Sequence, residues 1–439
     1  MDLSKFNHWW RDGQVNTVFL GKHRRALDEI LPYLDRRQIL ILKGLRRVGK
    51  TTLFYQFINH LIKEKNISPY KILYFSFDEI IEELDEVIQF YIKEILKEDF
   101  INVKGKCYLF FDEIQKLKNW SEKIKILYDL YPNIKIFISG SAALGLIKGV
   151  KESFAGRSFE FKINPLDFKE YLKFRKINYD EDRIDIFKDK LIRELDLYLN
   201  NSGFFEMIEE NNPEIIRRYF KDSILERVIY RDIPEHFSID NPGLLYRILD
   251  ILASQPGMLV EYKNIASDLK RDRRTIAKYF EYLRWSFLLK PLYRFYSNLL
   301  TSEKKLKKYY LSHPALTLAL TGQPSPEAKG RIIENLFVSL TGGNFFYRST
   351  SGEEVDIIVE PKKISPVFKS KAIGIPLEIK YTNKIYPKDL RGLTSFMRRY
   401  KVKQGFIISK GLEEEQKFDW GRVSIIPAWK FLLKIEYQI

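Results

Sequence analysis

The amino-acid sequence predicts an α/β fold with a parallel sheet in its first third. Five apolar segments between residues 39 and 163 alternate with segments of helical periodicity, which is the pattern of parallel strands joined by crossover helices. From residue 166 to residue 237 the pattern is wholly helical, and beyond residue 326 strands and helices alternate again. These changes in pattern predict four domains, at residues 1–165, 166–240, 241–325 and 326–439.

The loop after the first predicted strand has the spacing of a phosphate-binding loop, G-x-x-x-x-G-K-[ST]. Such a loop turns backbone N–H groups toward a phosphate chain, its lysine supplies a positive charge, and its hydroxyl can bind Mg²⁺. The two glycines let the loop approach the phosphates closely. The sequence therefore predicts binding of ATP with Mg²⁺. The predicted nucleotide contacts are Gly44, Val48, Gly49, Lys50, Thr51 and Thr52.

Another strand pattern ends in two carboxylates. Residues 106–113, KCYLFFDE, place Asp112 and Glu113 at the carboxyl end of an apolar strand. Beside a phosphate-binding loop, the first carboxylate can complete the shell of the Mg²⁺ ion, and the second can orient and deprotonate the attacking water. Asp112 and Thr51 are therefore the predicted metal residues, and Glu113 is the predicted catalytic base, assisted by Lys50.

Later polar residues are predicted to sense the γ-phosphate. Ser139 or Ser141, at the end of the strand pattern 134–139, could contact it, although either serine could instead be a turn former. Arg157 could be an arginine finger that acts on a neighbouring chain, or a sensor within its own chain. A surface arginine without a catalytic role is the alternative for this residue.

After a helical lid at 166–240, residues 241–325 predict a winged helix, which consists of three helices and a two-stranded wing. The wing strands are expected on either side of a basic loop at Thr301–Lys308. The third helix begins among basic residues that suit phosphate contact, so this segment predicts DNA binding. A module for packing or dimerisation is the alternative. The basic residues are Lys270, Arg271, Arg273, Arg274 and Lys278.

Charged side chains interrupt the apolar strands predicted near the carboxyl end. Asp356 lies within one such strand, and Glu378 and Lys380 point to the same face of the next because strand side chains alternate. Two carboxylates can hold Mg²⁺ on a scissile phosphate, while a lysine stabilises the attacking water. We therefore predict an endonuclease-like site, with Asp356 and Glu378 as metal residues and with Glu334, on the preceding helix, and Lys380 assisting.

Composition bounds the partners. The net charge is +16, from 74 Lys and Arg against 58 Asp and Glu, and this excess favours nucleic acid as a partner. A surface of the kind found in thermophiles is the alternative. Cys107 is the single cysteine, which excludes a disulfide within the chain and a cysteine zinc site. No run of apolar residues is long enough to cross a membrane, so we expect a soluble, cytoplasmic protein without a membrane partner.

The order of motifs resembles a known family. The motifs are GLRRVGKTTL, YLFFDEIQKLKNW, IFISGSAA, FAGRSFEFKINPLDFKEYL and the tail IIEN, EEVDIIV and PLEIKY. The chain is similar to archaeal and bacterial AAA-type P-loop ATPases that carry a winged helix and a carboxyl-terminal domain of unknown function with restriction-endonuclease-like topology.

The resemblance implies roles for individual residues. It gives Lys50, Thr51, Asp112 and Glu113 their ATPase roles, and Arg157 occupies the Gly-Arg position of the family. It also implies that Glu334, Asp356, Glu378 and Lys380 lie on a PD-(D/E)xK nuclease pattern. Residues 198–208, YLNNSGFFEMI, depart from the Gly-Gly-Phe-Pro typical of the family, which leaves the turn of the lid open.

Together, the sequence predicts a Mg²⁺-dependent ATPase that binds duplex or branched DNA and couples its nucleotide state to a nuclease-like domain, in DNA processing or repair. A homo-oligomer follows if Arg157 acts between chains. Two alternatives stay open. In one, the chain is an ATP-dependent switch whose carboxyl-terminal domain binds DNA or protein without cutting. In the other, it is a scaffold for defence or signalling that holds ATP.

Overall fold

The computed structural model describes residues 2–78, 83–141, 154–296, 299–360 and 374–435. Contacts between Cα atoms divide the chain into two compact units. The amino-terminal unit extends to Pro165, and the carboxyl-terminal unit begins at Leu166. Each unit is described by itself.

The amino-terminal unit contains a five-stranded parallel sheet. Its strand order is β2-β3-β4-β1-β5, so the strand that leads into the phosphate-binding loop lies between β4 and β5. The predicted parallel α/β sheet is confirmed. The strands are β1 (Ile39–Lys43), β2 (Ile72–Ser76), β3 (Cys107–Asp112), β4 (Ile134–Gly140) and β5 (Ser158–Lys162).

Helices pack on this sheet through their apolar faces. The P-loop helix, Lys50–Lys63, buries Leu53, Phe54, Phe57 and Leu61, the side chains whose spacing predicts a helix. Phe54 meets the ring of Phe110 edge-on at 5.3 Å between centroids. The other α-helices among the described residues of the unit are Trp9–Asp12, Thr17–Leu20, Arg25–Ile30, Leu84–Phe90, which continues as a π-helix at Tyr91–Leu96, and Trp120–Leu130.

The amino-terminal segment covers the free edge of the sheet at β2. The side-chain amide of Asn7 donates to the carbonyl of Tyr74 at 2.9 Å and accepts from the Tyr74 amide at 2.7 Å, as a neighbouring strand would. The indole N–H groups of Trp9 and Trp10 both donate to the carbonyl of Ile72. The unpaired backbone groups of an edge strand can pair with another chain and cause aggregation. These three side chains form hydrogen bonds with the backbone groups of β2.

The carboxyl-terminal unit begins with helices, and no strand occurs between residues 166 and 237. The α-helices of this region are Phe168–Phe174, Lys188–Asn201 and Pro213–Tyr219, which continues through π-helical turns at Phe220–Glu226 and Val228–Asp232 into Ile233–His236. Those that follow are Pro242–Ser254, Tyr262–Asp268, Arg273–Trp285, Leu299–Lys304, Pro314–Thr321, Lys329–Thr341, Arg391–Tyr400 and Ala428–Lys434.

A nine-stranded mixed sheet runs through the rest of this unit. Its order is β13-β14-β12-β11-β10-β9-β7-β8-β6. The strands are β6 (Met258–Val260), β7 (Leu289–Arg294), β8 (Lys307–Leu311), β9 (Phe345–Arg348), β10 (Glu354–Val359), β11 (Ile375–Ile379), β12 (Gln404–Ser409), β13 (Glu414–Phe418) and β14 (Gly421–Pro427).

The two predicted carboxyl-terminal domains share this sheet. Tyr293 in β7 pairs in parallel with Phe345 in β9, so the strands of residues 241–325 continue into those beyond residue 326. The predicted basic loop at Thr301–Lys308 is wrong in detail, because Leu299–Lys304 is a helix and β8 already begins at Lys307. Among the helices that the structure describes, none has both the length and the apolar character needed to cross a membrane.

Candidate functional site

The phosphate-binding loop lies between the end of β1 and the P-loop helix. A Cβ on Gly44 would overlap the carbonyl oxygen of Ile163, so only glycine lets the loop pack against the segment after β5. This packing is a different requirement from the close approach of phosphate that the sequence predicts. Gly49 has a φ of +90°, in the left-handed region that favours glycine. The loop therefore depends on both glycines for its own shape.

Lys50 and its neighbours begin the P-loop helix. The buried ammonium of Lys50 donates to the carbonyls of Gly44 and Leu45, both at 3.1 Å, so the loop encloses its own cation. Val48 is fully buried, and Thr52 is half-buried in the first turn of the helix. The helix presents the N–H groups of this turn beside the Lys50 charge, which is an arrangement that attracts phosphate.

Arg24, which the sequence motifs do not indicate, ties the loop to the end of the sheet. Its guanidinium is 3% exposed and donates to the carbonyl of Val48 at 3.2 Å and to that of Asn164 at 3.1 Å. Arg24 thus holds the middle of the loop against the segment that follows β5. No periodicity or spacing in the sequence distinguishes this arginine from a surface charge.

Asp112, at the end of β3, is surrounded by hydrogen-bond donors. Its Oδ2 accepts from the Thr51 hydroxyl at 2.5 Å and from the Tyr74 hydroxyl at 3.0 Å. Its Oδ1 accepts from the hydroxyl of Ser139 and from the backbone amide of Glu113. Burial and then the charge of Glu113 raise the pKa of Asp112, whereas the Ser139 and Thr51 hydroxyls oppose that rise. The contact between Thr51 and Asp112 joins the two oxygen ligands that the sequence predicts for Mg²⁺, and oxygen donors are what this ion prefers.

Glu113, the predicted base, makes a side-chain hydrogen bond that is separate from those of Asp112. Its φ is +50°, a left-handed conformation that costs a residue other than glycine roughly 1–3 kcal/mol. Its carboxylate accepts from the side-chain amide of Gln115 at 2.5 Å, and the same amide donates to Ser141 at 3.1 Å. Ser141 is therefore linked to Glu113 through Gln115, whereas Ser139 contacts Asp112 directly. The sequence predictions missed Tyr74 and Gln115.

Arg157 lies at the other end of the sheet from the phosphate-binding loop. It precedes β5, and its carbonyl accepts from the amide of Ile39, the first residue of β1. The loop follows the opposite end of β1, roughly 16 Å away at about 3.3 Å per residue. The guanidinium pairs with Asp129 at 3.1 Å. This position does not support a sensor role within the same chain, and both roles of Arg157 stay predictions.

In the carboxyl-terminal unit, four carboxylates lie near one buried lysine. We call Glu334, Glu354, Asp356 and Glu378 the acidic cluster. The ammonium of Lys308, on β8, lies 3.6 Å from an oxygen of Glu334 and 3.8 Å from one of Asp356, and it also contacts Glu354. The Lys308 side chain is only 7% exposed. This lysine comes from a part of the sequence that predictions for the site did not include.

Glu378 and Asp356 occupy neighbouring positions on β11 and β10. The antiparallel pairing of Ile357 with Leu377 sets Asp356 beside Glu378, and Asp356 accepts from the amide of Ile379 at 2.8 Å. One oxygen of Glu378 lies 2.8 Å from the Lys380 ammonium. Its other oxygen, Oε2, is buried and has no hydrogen-bond partner in the described part of the structure.

The charges in the acidic cluster disfavour full ionisation. Burial, and then the charge of Asp356, raise the pKa of Glu378 well above its usual range and that of Glu334 to about 7. The Tyr310 hydroxyl donates to Glu334 at 2.5 Å. The Lys308 ammonium lies 3.8 Å from Asp356, while Lys380 pairs with Glu378.

The predicted metal site at Asp356 and Glu378 stays a prediction. Among the residues that the structure describes, no group of three or more His, Cys, Asp or Glu side chains is arranged to hold a metal ion. The structure does bring together the side chains that the sequence predicts for this site. They are the carboxylates of Glu334, Asp356 and Glu378 and the ammonium of Lys380. However, a fifth group, Lys308, lies among them.

Three stretches of the chain match family models. Residues 36–172 match an AAA domain. Residues 192–327 match a domain of unknown function, DUF8612, and residues 331–431 match another, DUF4143. The AAA match and the five-stranded parallel sheet confirm the predicted P-loop ATPase domain.

An uncharacterized protein of Methanocaldococcus jannaschii is 30% identical to the chain over 420 residues, which are 90% of this chain and 88% of that protein. The chain belongs to the same family as this archaeal protein. A family relative in Haemophilus influenzae, also uncharacterized, is 24% identical over 339 residues, 76% of this chain and 82% of that protein. A Walker-type ATPase of Pyrococcus abyssi superposes with a TM-score of 0.44 at 16% identity, covering 70% of this chain and 98% of that structure.

The AAA-domain match confirms the P-loop ATPase part of the resemblance. For the carboxyl-terminal domain, the matching model describes no function, so its restriction-endonuclease-like topology stays a prediction.

The turn that departs from the expected Gly-Gly-Phe-Pro has a structural explanation. Ser202 adopts a left-handed φ of +47°, and its hydroxyl accepts from the amide of Ala315 at 2.9 Å. The serine therefore provides a hydrogen-bond acceptor for a backbone amide in the first turn of the helix Pro314–Thr321, which a glycine at this position could not do.

Proposed function

We propose that this protein is a Mg²⁺-dependent ATPase whose carboxyl-terminal unit binds DNA. The observation that carries the ATPase part is the contact between Thr51 and Asp112 beside the enclosed ammonium of Lys50. A hydroxyl, a carboxylate and a cation at the end of parallel strands form a site for the outer phosphates of a nucleotide and its metal ion. The AAA-domain match supports this assignment.

The residues divide the work of hydrolysis. The loop amides and Lys50 would hold the phosphates, and Thr51 would ligate the ion, with Asp112 in its shell. Bound Mg²⁺ supplies charge stabilisation to the transferred phosphoryl group. Glu113 accepts the proton of the attacking water, since it is the carboxylate next to the metal residue. Gln115 fixes the Glu113 carboxylate through its 2.5 Å hydrogen bond, so the base is oriented before water arrives.

ATP binding and hydrolysis by the purified chain test this proposal. Lys50→Ala should abolish tight binding of Mg²⁺-ATP, because the loop loses its phosphate cation. Glu113→Gln should keep binding and slow turnover by roughly 10²-fold or more, the usual loss when a general base is removed. If wild-type protein bound Mg²⁺-ATP no better than Lys50→Ala, the ATPase proposal would be wrong.

The DNA-binding part of the proposal rests on the winged-helix arrangement. The helices Pro242–Ser254, Tyr262–Asp268 and Arg273–Trp285 precede the antiparallel strands β7 and β8, and β6 pairs with β8. This order and pairing support a winged helix with β7 and β8 as the wing. Exposed basic residues surround the start of its third helix, where contact with a groove or with phosphates is expected. They are Lys270, Arg271, Arg273, Arg274 and Lys278.

For the acidic cluster we propose a nuclease-like role that is coupled to the nucleotide state. Asp356 on β10 lies beside Glu378 on β11, and Lys380, which follows β11, pairs with Glu378, as that role requires. Asp356→Ala and Lys380→Ala should each stop metal-dependent nicking of duplex, single-stranded or branched DNA while the ATPase activity persists. Absence of nicking by the wild type under all nucleotide conditions would favour the alternative, a switch that binds DNA or protein without cutting it. Lys308 within the cluster is the observation that favours this second candidate.

A further inference from the structure

We infer that Lys308 is the built-in cation of the acidic cluster and that its ammonium keeps a divalent metal ion out until it is displaced. The inference rests on the proposed nuclease-like role in one respect only, which is the choice of a divalent metal ion as the species that competes with the Lys308 ammonium for the carboxylates. It adds a gating residue from the predicted wing to a site that the sequence places wholly beyond residue 326.

The position of the ammonium is the first reason. It lies within 4 Å of oxygens from Glu334 and Asp356 and also contacts Glu354. The helix Lys329–Thr341 supplies the first of these carboxylates and β10 supplies the other two. A Mg²⁺ ion needs oxygens at about 2.0–2.1 Å from more than one direction. Any ion bridging Glu334 and Asp356 would therefore take the place of the ammonium, or lie against it with strong repulsion.

The second reason is a carboxylate oxygen in the acidic cluster that no donor among the described residues uses. Glu378 Oε2 is buried without a partner in the described structure, although the other oxygen of the same carboxylate is paired with Lys380. A buried carboxylate oxygen without a donor is costly. A metal ion would satisfy it, whereas the Lys308 ammonium serves the other three carboxylates.

The third reason is where Lys308 comes from. Its strand β8 lies between β6 and β7, with Lys308 opposite Leu259 on one side and Leu292 on the other. The ammonium also lies 5.4 Å from the centre of the Phe346 ring, a favourable position for a cation. The side chain is thus fixed by the sheet that carries the predicted wing. A movement of β8 would withdraw the charge and leave the carboxylates open to a metal ion.

Binding of Mn²⁺ to the nucleotide-free, full-length chain tests the inference, measured by calorimetry and by the electron paramagnetic resonance of the free ion. Four proteins are compared: the wild type, Glu378→Gln, Lys308→Met, and Lys308→Met combined with Glu378→Gln. We expect the wild type to bind no Mn²⁺ at the cluster. Lys308→Met should bind one ion at the cluster, with an affinity at least tenfold above the detection limit that applies to the wild type, and the added Glu378→Gln should remove that binding. The double variant thereby assigns the ion to the cluster rather than to the phosphate-binding loop.

Thermal unfolding gives a second measurement. Without its cation, Lys308→Met should melt at a lower temperature than the wild type, and Mn²⁺ should restore part of the loss in this variant alone. Lys308→Gln, which keeps a hydrogen-bond donor for Glu354, is measured in parallel in case the methionine variant does not fold. Wild-type binding of Mn²⁺ that Glu378→Gln abolishes would overturn the inference. Folded variants without any gain in Mn²⁺ binding, or two unfolded variants that Mn²⁺ does not rescue, would overturn it as well.

These outcomes are separate from those of the proposed function. A wild type that cuts no DNA would count against the nuclease-like role, yet the gain of Mn²⁺ binding in Lys308→Met would still establish Lys308 as the excluding cation. Conversely, a wild type that binds Mn²⁺ at the cluster and cuts DNA would uphold the nuclease-like role and refute the exclusion.

Discussion

Ser139 and Ser141 are two residues apart, yet their hydroxyls contact different carboxylate systems. Ser139 donates directly to Asp112, whereas Ser141 accepts from Gln115, which in turn holds Glu113. From the sequence the two serines were equivalent, because both follow an apolar strand and both are common in turns. Alternation along a strand would place two residues at this spacing on the same face, but β4 ends at Gly140, so Ser141 lies beyond the strand and contacts different groups.

This difference predicts unequal effects on the use of Mg²⁺. Ser139→Ala removes a hydrogen bond to a buried carboxylate, which is worth about 1.5–3 kcal/mol. The pKa of Asp112, already raised by burial, should rise further, and a protonated Asp112 supports the metal ion poorly. We expect the Mg²⁺ concentration for half-maximal ATPase activity to increase by about tenfold, since 1.4 kcal/mol corresponds to one factor of ten.

Ser141→Ala is the matched control for that measurement, because it deletes the same atom two residues away. It should leave the Mg²⁺ dependence unchanged and affect only turnover, through Gln115 and Glu113. An equal or larger change in Mg²⁺ dependence for Ser141→Ala would reverse the assignment of the two serines.

At the scale of elements, apolar runs made the sheet of the amino-terminal unit predictable. A strand buried on both faces, such as β1 or β4, is a continuous apolar segment, and its ends are marked by polar residues. Two of the strands that the sequence predictions missed lack this signal. β6 has only three residues, and β13, Glu414–Phe418, is an edge strand with largely exposed polar side chains.

Contacts between distant segments were the other part that could not be predicted. The parallel pairing of β7 with β9 joins residues some fifty positions apart, and no local pattern indicates it. Lys308 enters the acidic cluster through this joined sheet, which is why the carboxylates could be predicted from their strands and the lysine could not. Arg24 and Asn7 were missed for the same reason, since both act on backbone groups far away in the sequence.

One helix depends on close packing against β10, the strand that carries Asp356. A Cβ on Gly392, in the helix Arg391–Tyr400, would overlap the backbone carbonyl of Glu354. Gly392→Ala should therefore force the helix away from the strand and destabilise the unit by about 3 kcal/mol, the upper part of the range for overpacking. Thermal unfolding should show a lower midpoint, while ATPase activity serves as a check that the amino-terminal unit is intact.

Gly330→Ala provides the matched control, since it adds the same methyl group to another helix of the same unit. Nothing lies within 4 Å of the added Cβ, so the change should stabilise the helix by up to about 1 kcal/mol. Equal midpoints for the two variants would show that the contact between Gly392 and β10 does not limit stability.

At the scale of the whole molecule, the net charge of +16 is the property that most constrains partners. Bound nucleotide offsets only a few of these charges. A polyanion can neutralise many more and gains from the release of its condensed counterions, so DNA is the partner that this excess favours. DNA could bind at one specific basic surface, or it could be attracted by the positive charge of the chain as a whole. The position of the basic residues decides between these two possibilities. The exposed arginines at the start of the helix Arg273–Trp285 make the first of these testable.

We expect the affinity of the chain for duplex DNA to fall steeply with salt. Each phosphate that a basic side chain neutralises contributes about −0.9 to the slope of log affinity against log salt concentration. Replacing Arg271, Arg273 and Arg274 by glutamine should flatten that slope by up to about 3 units. Asp272 is kept, because its side chain caps the same helix by accepting from the Arg274 amide at 2.7 Å. Fluorescence anisotropy over a series of salt concentrations measures the slope.

A control with the same change in net charge separates surface from total charge. Glutamine at Lys93, Lys104 and Lys118, which are exposed in the amino-terminal unit, removes three positive charges outside the segment that predicts a winged helix. If the third helix contacts the backbone of DNA, this control should keep the slope of the wild type. Equal flattening in both triple variants would mean that DNA is attracted by the charge of the whole chain. An interaction insensitive to salt, or no binding at low salt, would favour the scaffold over the DNA-binding ATPase.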